Sequence, residues 1–333
     1  MKIAVNGFGR IGRNFVKALV NKGELNKLVV INDLAPIESM VHLFKYDSVH
    51  GKFDGSIIAE GDSTIVINGH SIQYVSKANP SELPWKSLDI DAVIECTGHY
   101  TTYEKASEHI TAGAKKIIIS APSSSENVQT VVLGVNEKQI DFSAKIISNA
   151  SCTTNSAAPL IKVVDELCGI ESGYITTVHS YTGDQRLHDT PHKDLRRARA
   201  GAVSIVPTTT GAAKAITKIF PDLKGKIGGC GIRVPVPDGS LTDITCMVKR
   251  PADIDTINEA FLQASQQENY NGILEYINEP IVSVDVVGNT HSCVFDSLLT
   301  SSLGNMVKVV GWYDNEVGYA NRLVDLLPKL IFD

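Results

Sequence analysis

Cys152 and His179 are of the types that a nucleophile and its base require, and each sits where such chemistry is favoured. Cys152 follows the apolar run Ile146–Ser148 and comes directly after Ser151, a good helix cap, so its thiol is expected at a helix N-terminus. Unpaired backbone N–H groups and the helix dipole favour a thiolate there. His179 ends the apolar stretch Tyr174–Val178, which places an imidazole at the carboxyl end of a strand, within reach of activating a thiol. Read singly, each residue has a more ordinary reading, as a packed cysteine and a hydrogen-bonded histidine.

A second constellation binds rather than reacts. Gly7-Phe8-Gly9-Arg10-Ile11-Gly12 has the G-x-G-x-x-G pattern, and Asp33 follows about 20 residues on. Glycines allow a tight turn and a close approach of backbone to a pyrophosphate, whose charge rests on the next helix's N-terminus. An acid at Asp33 accepts hydrogen bonds from ribose hydroxyls and repels a 2′-phosphate, which favours NAD over NADP. The pattern alone is weak; the apolar strand before it and the helical stripe Ile11, Phe15, Ala18, Leu19 after it supply the context.

These residues need elements to position them. Up to residue 150, strand patterns (Lys2–Val5, Lys27–Ile31, Ala92–Glu95, Ile117–Ser120, Thr130–Leu133, Ile146–Ser148) alternate with helical ones, such as Thr101–Ala112 closed by Gly113. That alternation predicts an α/β, doubly wound parallel sheet. Beyond Ser151 comes a helix with Pro159 inside it, where a kink or a looser first half is expected. Strands follow at Tyr174–Val178, Ile232–Val234, Leu241–Lys249, Val282–Val287 and Val307–Tyr313, with few helices between them. They predict a second, α+β domain with a mostly antiparallel sheet. The expected domains are 1–150, completed by a C-terminal helix at 316–333, and 151–315.

Composition narrows the function classes. The 333 residues suit two domains, and 43% hydrophobic with 20% charged residues is ordinary for a folded protein. Thirty-one basic against 37 acidic residues give −6, which argues against nucleic acid or an anionic membrane as the main partner. The N-terminus lacks a signal-peptide pattern and no apolar run is long enough to span a bilayer, so a cytoplasmic protein is expected. The six cysteines include no Cys-x-x-Cys pair, and neither a disulfide framework nor a metal is called for.

The segment Ser148-Asn149-Ala150-Ser151-Cys152-Thr153-Thr154-Asn155 resembles the active-site segment of the glyceraldehyde-3-phosphate dehydrogenases residue for residue. Asn6–Arg13, Lys45–Ser48, Thr177–Thr182, Asp194–Arg199, Pro207–Ala213, Arg233–Pro235 and Trp312–Glu316 are similar too, so the likeness covers essentially the whole chain. The resemblance implies Cys152 as nucleophile and His179 as base, forming a thioester that inorganic phosphate cleaves to an acyl phosphate. It implies substrate-phosphate contacts at Thr182 and Arg233, and contacts to the attacking phosphate at Ser151, Thr153, Thr210, Gly211 and Arg197. It adds cofactor contacts at Arg10, Ile11, Lys77, Ser120, Asn315 and Tyr319 to those at Gly7, Gly9, Gly12 and Asp33. It also implies a homotetramer, with the loop carrying Arg196-Arg197-Ala198-Arg199 between subunits. Ser156, Val317, Gly183, His188 and the run Gly228-Gly229-Cys230-Gly231, expected to be flexible, depart from the common pattern. An erythrose-4-phosphate dehydrogenase of the same superfamily is the alternative, and a cysteine hydrolase or a non-catalytic binding protein are the readings from other classes.

Overall fold

Parallel strands buried on both faces have no polar side to alternate, and the central strands of the first sheet show this. In the computed structural model, which describes residues 1–332, β1 (Ile3–Asn6) is buried at every position. It is followed by α1 (Arg10–Asn21), β2 (Leu28–Asn32), α2 (Ile37–Lys45) and the small hairpin β3 (Tyr46–Asp47) with β4 (Gly51–Lys52). An antiparallel meander comes next, of β5 (Ile57–Glu60), β6 (Thr64–Ile67) and β7 (His70–Val75). Then follow α3 (Trp85–Leu88), β8 (Ala92–Glu95), α4 (Tyr103–Thr111), β9 (Lys116–Ile119), β10 (Gln129–Thr130) and β11 (Ile146–Ser148).

The nine strands order as β10-β11-β9-β8-β1-β2-β7-β6-β5. All pairs from β10 to β7 are parallel, and only the meander is antiparallel. Strand order reverses at β1, with β2 on one side and β8 on the other, and ligands of doubly wound sheets bind at the carboxyl ends of strands at such a point. Helix α1 packs Phe15, Ala18 and Leu19 of the expected stripe inward together with Val16, while Ile11 is only half-buried. Thr102 caps α4 by accepting from the Lys105 N–H at 3.4 Å.

The second unit opens with α5 (Cys152–Cys168), continuous over 17 residues through Pro159. β12 (Ile170–Ser180), β13 (Val206–Thr208), α6 (Ala212–Ile219), β14 (Ile227–Val234) and β15 (Ser240–Val248) follow. The unit is completed by α7 (Ile254–Ser265), β16 (Leu274–Ile277), β17 (Cys293–Asp296), β18 (Ser301–Leu303) and β19 (Met306–Tyr313), before α8 (Val317–Leu326). Its eight-stranded sheet runs β13-β14-β12-β15-β19-β17-β16, with β18 pairing β19. The β12–β14 and β16–β17 pairs are parallel and the rest antiparallel. α5 covers one face of this sheet, burying Ala157, Leu160, Ile161 and Val164.

The two units comprise Met1–Val131, Gln139–Ala150 and Ala320–Asp333 in the first, and Val132–Lys138 with Ser151–Tyr319 in the second. The short segment at 132–138 and residues 316–319 thus fall with the second unit, where the sequence reading put them in the first. Three element expectations are corrected. Val282–Val287 holds a 3₁₀ turn at Ser283–Val286 rather than a strand. The meander from β5 to β7 was not foreseen. The glycines at 228–231 are interior strand positions of β14: a Cβ at Gly228 would lie 2.8 Å from the Tyr174 ring, and one at Gly229 3.0 Å from the Ile175 carbonyl oxygen. They are there for close packing, not flexibility.

Candidate active site

Ser151 begins α5 as its N-cap, its hydroxyl accepting from the Thr154 N–H at 3.1 Å. Cys152 is therefore the first helical residue, where N–H groups lack carbonyl partners within the helix. Ala150, just ahead, holds φ at 56°, a conformation costly for a residue with a Cβ. The Cys152 Sγ lies 3.4 Å from Nε2 of His179, and the imidazole is 5% exposed at the end of β12.

The opposite side of that imidazole is crowded. Nδ1 lies 2.8 Å from the Ser180 carbonyl oxygen and 2.6 Å from Nη1 of Arg233, which itself donates to the same carbonyl at 2.9 Å. Arg233 comes from β14, in register beside His179 of β12. In the tautomer that gives Nδ1–H to the Ser180 carbonyl, Nε2 is an acceptor facing the thiol. Burial, then the Arg233 charge, lowers the imidazole pKa to about 3, and burial raises that of the thiol. The Arg233 charge and hydrogen bonds from Thr153 pull the thiol back down. Burial thus opposes the resting thiolate expected from the helix terminus, and it keeps the imidazole in the unprotonated form that a base needs.

Tyr313, at the end of β19, was missed by the sequence reading. Its hydroxyl lies 2.9 Å from both Thr153 Oγ1 and Thr177 Oγ1, and its ring meets the His179 imidazole edge-on at 6.0 Å. It ties α5, β12 and β19 together under the thiol, and the only sequence signal was its place at the end of an apolar strand. Asn315 Oδ1 accepts from Ser180 Oγ at 2.8 Å and Ser240 Oγ at 2.6 Å, which orients the amide with Nδ2 as its remaining donor. Tyr319 is buried in the first turns of α8.

The other phosphate candidates are less tightly grouped. Thr182 begins the loop after β12 and accepts from Gln185 N–H through its carbonyl. Arg197 donates to Thr208 Oγ1 at 2.9 and 2.8 Å and is ion-paired with Asp184. Thr210 caps toward Ala212 N–H, and Gly211 precedes α6. The Arg197 and Asp184 charges both act on Arg233, so these groups share one electrostatic neighbourhood.

In the first unit, a cleft of about 330 Å³ opens at the carboxyl ends of β1, β2, β7 and β8. Of the expected cofactor residues it brings together Gly7, Gly9, Asp33 and Lys77. The Asp33 carboxylate accepts from Phe8 N–H at 2.7 Å and Ala35 N–H at 3.0 Å, so β2's acid braces the glycine turn. Each glycine has its own reason. Gly7 has φ 94° and backbone of Cys96 and Thr97 where a Cβ would stand. A Cβ on Gly12 would lie 2.2 Å from the Gly7 carbonyl oxygen. A Cβ on Gly9 would meet nothing within 4 Å, leaving that side of the backbone open to a ligand. The turn, the helix terminus and the acid fit a dinucleotide. Arg10, Ile11, Gly12 and Ser120 do not line the cleft: the Arg10 side chain is held by Asp47 at 2.8 Å, and Ser120 donates to the Glu95 carbonyl at 2.8 Å.

A dinucleotide cleft on a doubly wound sheet, in a chain with a part-buried cysteine paired to a buried histidine, defines a dinucleotide-dependent oxidoreductase. The NAD binding domain model of glyceraldehyde 3-phosphate dehydrogenase matches residues 1–103, and the C-terminal domain model of the same enzyme matches 151–315. Glyceraldehyde-3-phosphate dehydrogenase of Mycobacterium avium is 51% identical over 332 residues, 98% of this chain and 97% of that protein. Glyceraldehyde-3-phosphate dehydrogenase 2 of Streptomyces avermitilis is 50% identical, and the Streptomyces coelicolor enzyme 49%, each over 328 residues with the same coverage. The chain belongs to the glyceraldehyde-3-phosphate dehydrogenase family, and it is an NAD-dependent oxidoreductase.

Proposed function

We propose the residue roles by which this chain oxidises D-glyceraldehyde 3-phosphate, with NAD and inorganic phosphate, to 1,3-bisphosphoglycerate. Cys152 Sγ attacks the aldehyde carbon while His179 Nε2, 3.4 Å away, takes the thiol proton and passes it to the carbonyl oxygen. The product of this step is a hemithioacetal. NAD, when bound, supplies the acceptor for the hydride that leaves the same carbon. His179 removes the hydroxyl proton in that step, and the carbon becomes a thioester of Cys152. Inorganic phosphate then attacks the thioester, the acyl phosphate departs, and the sulfur recovers its proton from His179. The backbone N–H of Cys152, unpaired at the helix start, and the imidazole meet the developing oxyanion.

Arg233 has two jobs in this reading. With Thr182 it binds the substrate phosphate, and its charge holds down the basicity of His179 until an anion neutralises it. Ser151, Thr153, Arg197, Thr210 and Gly211 serve the attacking phosphate, and Asn315 with Tyr319 serves the nicotinamide end. We read the protein as a cytoplasmic homotetramer, in which the loop bearing exposed Leu187, Leu195, Val203 and Ile205 packs against a neighbouring subunit. Among the described residues no helix is long and apolar enough to cross a membrane.

The observation that carries the reading is the Cys152–His179 contact at a helix start, in a chain that also holds a dinucleotide cleft. The test is NADH formation from glyceraldehyde 3-phosphate with and without phosphate, and from erythrose 4-phosphate. Phosphate-dependent turnover that strongly prefers the three-carbon substrate is expected. Preference for the four-carbon sugar would shift the assignment to the erythrose-4-phosphate enzyme.

A further inference from the structure

Behind the first-unit cleft lies a buried polar chain that the chemistry above does not use. The Glu95 side chain, at the end of β8, and His109, in α4, are fully buried. Oε2 of Glu95 accepts from Asn6 Nδ2 at 2.6 Å and lies 3.1 Å from His109 Nε2. Oε1 accepts from the Thr97 N–H at 2.7 Å and from the Thr97 hydroxyl. The buried Trp85 indole N–H, which can only donate, gives its proton to His109 Nδ1 at 3.0 Å. The imidazole proton therefore sits on Nε2 and is donated to Glu95. All four partners of the Glu95 carboxylate are donors.

The chain continues to the cleft wall. Asn6 Oδ1 accepts from Asn32 Nδ2 at 2.7 Å, and Asn32 Oδ1 accepts from the Lys77 N–H at 2.9 Å. Asn6, Asn32, Lys77 and Thr97 all line the cleft; Glu95, His109 and Trp85 do not. The His109 ring also meets Tyr100, a further wall residue, edge-on at 5.4 Å. Thr97 is also the segment packed against Gly7, so whatever holds Thr97 sets the width of the glycine turn.

We propose that Glu95 and His109 form a positioning pair for the dinucleotide. From outside the cleft they fix the Asn6–Asn32–Lys77 floor, the Thr97 segment and the Tyr100 wall in the shape that NAD binds. The inference rests on the NAD-dependent reading. It requires an acceptor-only group at 95, because a carboxamide there would turn an N–H toward one of four donors.

The test is isothermal titration of NAD into wild type, Glu95→Gln and His109→Gln, with steady-state kinetics at varied NAD. Wild-type binding by itself checks the NAD reading; the variants check the pair. Glu95→Gln should weaken NAD by about tenfold to a hundredfold, as expected for a buried polar group left badly paired. His109→Gln never touches the cleft, and it should weaken NAD by roughly threefold to tenfold, the cost of one degraded hydrogen bond. In both, KM for NAD should rise while kcat at saturating NAD stays near wild type. Alkylation of Cys152 in cofactor-free protein should keep its wild-type rate, since that thiol belongs to the other unit. Wild-type NAD affinity in His109→Gln would overturn the proposal, and that variant decides the matter even if Glu95→Gln does not fold. Equal losses in kcat and NAD affinity would overturn it too, by assigning the pair to general stability.

Discussion

At the scale of single residues, the proposed chemistry depends on one sulfur and one ring nitrogen 3.4 Å apart. Cys152→Ala should abolish turnover and leave NAD affinity unchanged by titration, because nucleophile and cleft share no residue. His179→Asn should lower kcat by about 10²–10⁴-fold, the usual worth of a general base. The ring also leaves a mark on stability. Its pKa falls from 6.5 in the unfolded chain to about 3 in the folded one. The unfolded chain therefore binds the extra proton first: the contribution is complete above about pH 6.5 and is lost as pH falls toward 3. Urea titrations across this window should show a slope from this group of up to about 1.4 kcal/mol per pH unit. His179→Asn should flatten it, and an unchanged pH profile in the variant would refute the buried, unprotonated imidazole. Arg233→Ala should raise KM for glyceraldehyde 3-phosphate far more than for an unphosphorylated aldehyde, and equal damage to both would remove Arg233 from the phosphate site.

At the scale of elements, the glycine turn offers a clean separation of structure from binding. Gly12→Ala places a Cβ against the Gly7 carbonyl and should lower stability by roughly 1–3 kcal/mol, the cost of overpacking. Gly9→Ala meets nothing in the protein, so its melting temperature should stay near wild type while NAD binding weakens. The reverse pattern in melting and titration would contradict the assigned roles. The parallel strands of the first sheet and the helix start at Cys152 were legible because their signals are local: continuous β-branched runs, a glycine fingerprint, a serine cap. The β5–β7 meander was not, since its strands are short and half-exposed, with mixed patterns. Val282–Val287 misled because an apolar alternation of strand type also suits a 3₁₀ turn with exposed Val282 and Val284. Residues 152 and 156 share a helix-face spacing, yet the Ser156 hydroxyl is fully buried near Cys293 of β17, a neighbour that spacing within the helix cannot show. Tyr313 and the Glu95–His109 pair were invisible for the same reason: their meaning lies in contacts with residues distant in sequence.

At the scale of the whole molecule, one unit supplies a dinucleotide cleft and the other the proposed nucleophile, and the claim that unites them is a covalent acyl-enzyme. In the proposed reading Asp33 of the first unit also sets cofactor choice. Asp33→Ser should weaken NAD by roughly 1–3 kcal/mol, the worth of hydrogen bonds to a charged group, while NADP improves relative to it. A wild type that already uses both cofactors equally would contradict that assignment. The central claim is tested most directly by intact-mass and peptide analysis of the enzyme mixed with glyceraldehyde 3-phosphate and NAD in phosphate-free buffer. The account predicts a phosphoglyceroyl thioester on the Cys152 peptide, absent from Cys152→Ala and discharged when inorganic phosphate is added. An adduct on another residue, none at all from a preparation that turns over once phosphate is supplied, or one that phosphate fails to remove would contradict it.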